Sequence, residues 1–220
     1  GVSRSARGQS DGARLKRAAG NCDSMAEVSP YVFRLSVAPL SAAQEKGTTI
    51  RVATIMRGFR ALHQKHALMV AEGAGGVFTP ITQSLNVLDL ISKMKLPAIV
   101  VGHSGLGGIN HALLTLHALR QRKIPVVALV LNQRRPVLKK TARVQEQSTV
   151  NILRRLAGVP VVGPLPYSLR VNRNWDEGLI HLAGTAPITK LARLVLACII
   201  HEGSSQKHAN RPGEGREARG

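Results

Sequence analysis

The sequence predicts an α/β fold in which a parallel sheet is flanked by helices on both faces. Short runs that are almost entirely apolar occupy residues 67–71, 97–102, 125–131 and 159–163, as expected for strands buried on both faces. Longer segments with apolar residues at helical spacing lie between several of these runs, and such alternation is typical of parallel sheets. A chain of 220 residues is long enough for one domain of this class.

The predicted elements follow one another in a simple order. Residues 1–24 are rich in Arg, Ser and Gly and are expected to form a loose or truncated end, whereas residues 25–201 form the α/β domain. A short extended piece is predicted at residues 30–33, and helices are predicted at residues 40–45, 50–66, 85–94, 110–122, 137–156 and 188–201. The polar, Gly-rich residues 202–220 are expected to form a disordered tail.

Polar and glycine-rich segments follow the predicted strands. Glu72 and the turn Gly73-Ala74-Gly75-Gly76 come after the first strand, residues 105–110 after the second, Asn132 after the third and Pro166 after the fourth. Ligands of open parallel sheets bind beyond the carboxyl ends of the strands. A carboxylate can hold Mg²⁺, and glycines let backbone N–H groups approach an anion. The sequence therefore predicts a phosphate and metal site at this edge.

The formal net charge is +19, which makes nucleic acid a candidate partner. The positive charge is spread along the chain, however, and aromatic residues, which stack on bases, make up only 3% of it. We therefore expect the dense basic segment at residues 134–155 to be a solvated helix face, with a basic flank beside a nucleotide site as the second interpretation. Nucleic-acid binding is the third.

The apolar runs, the first residues and the cysteines indicate the cellular compartment of the protein. No apolar run is long enough to cross a bilayer, and the first 20 residues lack the apolar segment of a signal peptide. The two cysteines, Cys22 and Cys198, form no disulfide framework, which suits a reducing compartment. We expect a cytoplasmic protein with no membrane partner.

Several segments of the sequence resemble those of dethiobiotin synthetase, a family of the P-loop NTPase class. The matching pieces are residues 30–33 (Pro-Tyr-Val-Phe), residues 72–76 with Thr79-Pro80, Leu96-Pro97 and residues 105–115, Gly-Leu-Gly-Gly-Ile-Asn-His-Ala-Leu-Leu-Thr. The last block is the most specific, and the similarity covers about residues 20–200. The resemblance implies a three-layer α/β/α fold, a homodimer, and ATP- and Mg²⁺-dependent ring closure. Carbon dioxide and 7,8-diaminopelargonate would give dethiobiotin through a carbamate that ATP phosphorylates.

The resemblance also implies roles for individual residues, and each role has a structural alternative. Glu72 would bind Mg²⁺, or would only cap the following turn. Asn132 would contact adenine, or would be a turn residue. The start of the helix predicted at residues 110–122 would hold the substrate carboxylate near the dimer interface, although Asn110 also suits an N-cap. The remaining residues would lie near the ATP phosphates (Gly73, Ala74, Gly75), line the adenine pocket (Leu165, Pro166, Tyr167) or bind substrate (Gly107, Gly108, Ile109).

The motif Gly-x-x-x-x-Gly-Lys-[Ser/Thr], which the family carries near its N-terminus, is absent from these 220 residues. No secure match exists for a second family lysine, so we identify no catalytic residue. A metal-binding aspartate of the family falls on Arg17 or a neighbour. We expect either a piece of a longer synthetase that lacks the opening strand, loop and helix, or a non-catalytic homologue that acts by binding.

Overall fold

The computed structural model describes residues 10–20 and 22–209. The chain divides into two compact units. The first unit comprises Gly1–Leu96 with Ala118–Ile124, and the second comprises Pro97–His117 with Pro125–Gly220.

The described part of the first unit is helical. Its helices are α1 (Asp11–Ala18), α2 (Met25–Val28), α3 (Pro39–Glu45), α4 (Val52–Lys65) and α5 (Val87–Met94). Phe33, Ala42, Ala43, Ile50, Ile81 and Val87 form a buried cluster. Asn86 and Asp89 form a capping box at the start of α5, since each side chain accepts a hydrogen bond from the other's backbone N–H.

Charged side chains join the start of α2 to the end of α4. The Lys65 ammonium donates a hydrogen bond to the Glu27 carboxylate, and His66 Nε2 lies 2.7 Å from an Asp23 carboxylate oxygen. The backbone N–H of Ser24 also donates to Glu27, at 2.9 Å. The hydrogen bonds of Glu27, that from Lys65 first and then those with Ser24, lower the pKa of Glu27 from 4.5 to about 2.

The described part of the second unit contains a parallel sheet in the order β1-β2-β3 and five helices. The strands are β1 (Ala98–His103), β2 (Val126–Asn132) and β3 (Val161–Leu165). The helices are α6 (Gly108–Gln121, whose residues 118–121 belong to the first unit), α7 (Lys140–Leu156), α8 (Leu169–Arg173), α9 (Trp175–Ala183) and α10 (Ala186–Ala209).

Alternate residues of β2 face opposite sides of the sheet, and both sides are covered. Leu191 and Leu194 of α10 pack against a buried cluster of Ala128, Val130 and Val162. The intervening Leu129 and Leu131 are fully buried, and Ala112 of α6 lies beside Gly102 with them. The prediction of a parallel sheet with helices on both faces is therefore confirmed, and the fold is that of a P-loop NTPase-like three-layer α/β/α protein.

The pairing of β2 with β3 is irregular near Gly163. Val130 pairs with Val162, but Asn132 pairs with Leu165, so β3 holds one extra residue. Gly163 has a φ of +98°, and a Cβ there would lie 2.6 Å from the carbonyl oxygen of Leu131. Only glycine fits this position without a shift of the backbone.

The strand predicted at residues 67–71 is wrong. This segment is neither helix nor strand, and Leu68 and Val70 are 55% and 75% exposed. The run is apolar, but it pairs with no strand of the described sheet, and an extended segment without a partner leaves its backbone groups to solvent. The other three predicted strands correspond to β1, β2 and β3.

Several described helices differ from the prediction. Residues 11–18, expected to be loose, form α1, and the predicted last helix continues to Ala209, past His201. Helices α2, α8 and α9 were not predicted, because they are short and have little apolar periodicity. Each begins after a polar N-cap, namely Ser24, Ser168 and Asn174. The domain boundaries stay a prediction.

In the described ranges 10–20 and 22–209, no single helix has the length and apolar composition needed to cross a membrane. Only α9 with the first part of α10, residues 186–200, meets both criteria as a pair, and this pair is bent by 73°.

Candidate functional site

The carboxyl ends of the three strands meet at one edge of the second unit. His103 pairs with Asn132, and Asn132 pairs with Leu165, so the last residues of β1, β2 and β3 are in register. The segments predicted to bind ligand after these strands therefore start from neighbouring positions. The structure brings together the predicted residues 107–110, Asn132 and 165–167.

The start of α6 lies against the end of β1. A Cβ at Gly108 would lie 2.1 Å from the carbonyl oxygen of His103, so a side chain at this position is excluded. The rings of His103 and His111 meet edge to face with centroids 5.8 Å apart. Asn110 lies inside the first turn of α6, which begins at Gly108, so its interpretation as the N-cap is wrong. The first N–H groups of a helix suit an anion.

Asn132 is exposed at the end of β2, and the segment after β3 lies beside it. Pro166 is exposed, while Leu165 and Tyr167 are half-buried. Leu165 also packs against the buried cluster of Ala128, Val130 and Val162. Contact of Asn132 and the 165–167 segment with adenine stays a prediction.

Gln133 connects these segments, and sequence reasoning missed it. Its backbone N–H donates to the carbonyl oxygen of Leu165 at 3.0 Å. Its side-chain oxygen accepts from the backbone N–H of Tyr167 at 3.0 Å, and its amide nitrogen lies 2.8 and 3.0 Å from the two carboxylate oxygens of Glu146. Glu146 also accepts a hydrogen bond from the Ser104 hydroxyl. The sequence feature that could have pointed to this hydrogen-bonded group is Glu146, the one acidic residue within the basic helix α7.

Basic residues follow the end of β2 along the chain. Arg134 and Arg135 follow Gln133 directly, and Lys139, Lys140 and Arg143 lie at the start of α7. All five are exposed. Positive charge at the edge where a nucleotide is expected is consistent with the interpretation as a basic flank.

Glu72 belongs to the first unit and is exposed. It follows the irregular segment 67–71, so the structure does not place it at the end of a strand. The turn after it is held to α5, because the backbone N–H of Val87 donates to Thr79 at 3.1 Å and that of Leu88 donates to Val77 at 2.8 Å. Among the residues that the structure describes, no three His, Cys, Asp or Glu side chains lie close enough together to hold a metal ion. The roles of Glu72, Gly73, Ala74 and Gly75 stay predictions.

The comparison with known proteins decides the family. Residues 2–174 match a family model described as an AAA domain. The chain is 33% identical over 172 residues to the ATP-dependent dethiobiotin synthetase of Thermodesulfovibrio yellowstonii, which covers 75% of this chain and 70% of that protein. The chain belongs to the dethiobiotin synthetase family. The resemblance seen in residues 105–115 and in the Glu72 turn is therefore confirmed at the level of the family.

Other dethiobiotin synthetases match over a shorter part of their length. The ATP-dependent dethiobiotin synthetase of Anaeromyxobacter dehalogenans strain 2CP-C is 39% identical over 127 residues, 58% of this chain and 57% of that protein. That of Bacillus licheniformis is 34% identical over 160 residues, 72% of this chain and 66% of that protein. The chain thus spans between about half and two thirds of the length of these two relatives.

Proposed function

We propose that this chain acts in ATP-dependent dethiobiotin synthesis and binds ATP at the carboxyl edge of β1, β2 and β3. The observation that carries this proposal is the register of the strand ends, which sets Asn132 between Leu165 of β3 and His103, at the β1 end that leads into α6. The relatives named ATP-dependent dethiobiotin synthetase support the choice of reaction.

The proposed roles follow from the chemistry of each side chain. An Asn side chain can both donate to and accept from adenine, so Asn132 recognises the base. Leu165, Pro166 and Tyr167 line the pocket around it. The start of α6, formed by Gly107, Gly108, Ile109 and Asn110, holds the carboxylate of 7,8-diaminopelargonate, because a helix N-terminus attracts anions.

Mg²⁺ fits Glu72 as a partial site. Mg²⁺ is usually held by one or two carboxylates together with substrate phosphates and water, so an exposed carboxylate beside a glycine-rich turn is a suitable donor even without a cluster of protein ligands. Gly73, Ala74 and Gly75 offer backbone N–H groups to the ATP phosphates. When bound, the cation neutralises phosphate charge.

The proposed reaction balances without a further reagent. One amine of 7,8-diaminopelargonate takes up carbon dioxide and forms a carbamate, to which ATP transfers its terminal phosphoryl group. The second amine then attacks the carbamate carbon and expels phosphate, which closes the cyclic urea and leaves ADP. We further propose a homodimer in the cytoplasm, with membranes and nucleic acid not among the partners.

The proposal is tested by incubating the purified chain with ATP, MgCl₂, bicarbonate and 7,8-diaminopelargonate and measuring dethiobiotin and ADP by mass spectrometry. We expect equal amounts of both products, and no dethiobiotin when ATP is omitted. Binding of Mg²⁺-ATP is measured separately by titration calorimetry. Absence of both binding and turnover would overturn the proposal.

A second candidate function is binding without catalysis. It is favoured by one observation, the absence of Gly-x-x-x-x-Gly-Lys-[Ser/Thr] from the 220 residues, because the lysine of that loop contacts the transferred phosphate. Calorimetry that detects ATP binding, together with mass spectrometry that detects no dethiobiotin, would favour this candidate.

A further inference from the structure

Gln133 uses its donor and its acceptor on two different segments of the second unit. A backbone N–H can only donate, and an ionised carboxylate can only accept. The contacts with Tyr167 N–H and with the Glu146 carboxylate therefore fix the orientation of the Gln133 amide. Of the two amide side chains, only that of glutamine has this reach.

The partner of Gln133 is itself held in place. Ser104, which follows β1, is 3% exposed and donates its hydroxyl hydrogen to Glu146. Glu146 lies on α7 and is half-buried. The hydrogen-bond chain Ser104–Glu146–Gln133–Tyr167 therefore links the segments that follow β1, β2 and β3.

The chain of contacts fixes the 165–167 segment at two points. Gln133 donates its own N–H to the oxygen of Leu165 and accepts the N–H of Tyr167, so the two bonds bracket Pro166. Gln133 also follows Asn132 directly. The Gln133 side chain thus contributes to the position of this segment relative to Asn132.

We propose that Gln133 is a positioning residue that sets base selectivity, holding the 165–167 segment at the distance from Asn132 that accepts adenine. This inference rests on the proposed function, since it concerns the same nucleotide site. Glu146 and Ser104 act through Gln133, because they fix the donor end of its amide.

The test uses variants that remove or exchange these hydrogen bonds. Gln133→Met keeps the size of the side chain but loses both bonds, and Gln133→Glu places two carboxylates against each other. The double variant Gln133→Glu with Glu146→Gln exchanges the amide and the carboxylate and so restores every bond. The amide now at position 146 donates to the carboxylate at position 133 and accepts from Ser104, and that carboxylate accepts from Tyr167 N–H.

The matched control is Gln147→Met. Gln147 is exposed and lies one residue from Glu146 on the same helix. Within the part of the chain that the structure describes, its side chain bonds only Asn151, at 2.9 Å. The substitution is therefore the same in chemistry and size as Gln133→Met, but it leaves the hydrogen-bond chain from Ser104 to Tyr167 intact.

Two readouts are needed, namely amide hydrogen exchange at Tyr167 and the affinities of fluorescent ATP and GTP analogues for the chain. We expect Gln133→Met and Gln133→Glu to speed Tyr167 exchange and to weaken binding of the ATP analogue, each about tenfold, the cost of roughly one hydrogen bond to a charged or buried group. The ratio of ATP to GTP affinity should fall in both variants. The double variant should recover most of the loss, and Gln147→Met should match the unsubstituted chain.

The outcomes separate this inference from the proposed function. Unchanged Tyr167 exchange and base selectivity in Gln133→Met, with nucleotide binding intact in the unsubstituted chain, would overturn the inference alone. A double variant no better than Gln133→Glu would do the same. An unsubstituted chain that binds neither nucleotide would overturn the proposed function, and the inference would fall with it.

Discussion

Replacing Gly163 by alanine tests the extra residue in β3 that brings Leu165 opposite Asn132. A φ of +98° is a left-handed conformation, in which a residue with a Cβ is strained. The new Cβ would also lie 2.6 Å from the oxygen of Leu131 and 2.8 Å from the nitrogen of Leu165. Both are backbone atoms of paired strands, so only a movement of the strands relieves the contact.

The size of the effect follows from these two costs. Backbone strain of this kind costs about 1–3 kcal/mol, and an overpacked contact in a buried region costs a similar amount. We expect Gly163→Ala to lower the free energy of unfolding by about 2–6 kcal/mol. For a domain of this size each kcal/mol lowers Tm by about 2–4 °C, so the expected loss is roughly 4–24 °C.

The assay is thermal and urea unfolding of the whole chain, followed by circular dichroism. Gly184→Ala is the matched control in the same unit, because Gly184 has a φ of −76° and a Cβ there would meet only the carbonyl oxygen of His181, at 3.7 Å. The control should unfold like the unsubstituted chain, within about 0.5 kcal/mol. Equal Tm values for Gly163→Ala and Gly184→Ala would refute the argument from the left-handed bulge.

Three further predictions concern single side chains. Glu72→Gln should abolish the Mg²⁺ dependence of ATP binding in calorimetry, whereas the exposed Glu45→Gln should not; unchanged Mg²⁺ dependence would remove Glu72 as a ligand. Asn132→Ala should lower the preference for ATP over GTP, and unaltered selectivity would leave it as a turn residue. Lys65→Met should lower Tm at pH 7. Because the pKa of Glu27 is depressed in the folded chain, the stabilisation by this pair is present above pH 4.5 and lost as the pH falls to about 2. An equal Tm difference at pH 7 and pH 2 would contradict the pairing.

The sequence predicted β1, β2 and β3 because the apolar composition of each run is a local property that favours burial. Each run is short, lies between helical segments and ends in polar or glycine residues, so local composition and burial agree. This is also why the sequence predicted that Asn132 and residues 105–110 lie at one edge of the sheet, since the carboxyl ends of parallel strands share an edge.

Residues 67–71 show where the same argument fails. Their composition equals that of a buried strand, but a strand also requires a neighbour that completes its hydrogen bonds, and composition does not report the neighbour. The short helix α9 shows a different failure. Its start was marked by Asn174 followed three residues later by Glu177, a typical N-terminal signal, but its weak apolar periodicity concealed it.

The part of the candidate site that sequence reasoning could not reach is the part made by long-range pairing. Asn132 was found because its position after a strand is a local property. The contact of Gln133 with Tyr167 joins residues far apart in the chain, and it depends on the extra residue at Gly163, which shifts Leu165 into register with Asn132. A glycine before a proline gives no local sign of such a shift. Since Gln133 and Gly163 both set where the 165–167 segment lies, Gly163→Ala and Gln133→Met should affect the same amide of Tyr167, although only the first acts through the backbone. If hydrogen exchange of that amide is faster in both variants, the strand register and the Gln133 side chain position the same segment. If it is faster in only one of them, the two features act on different segments.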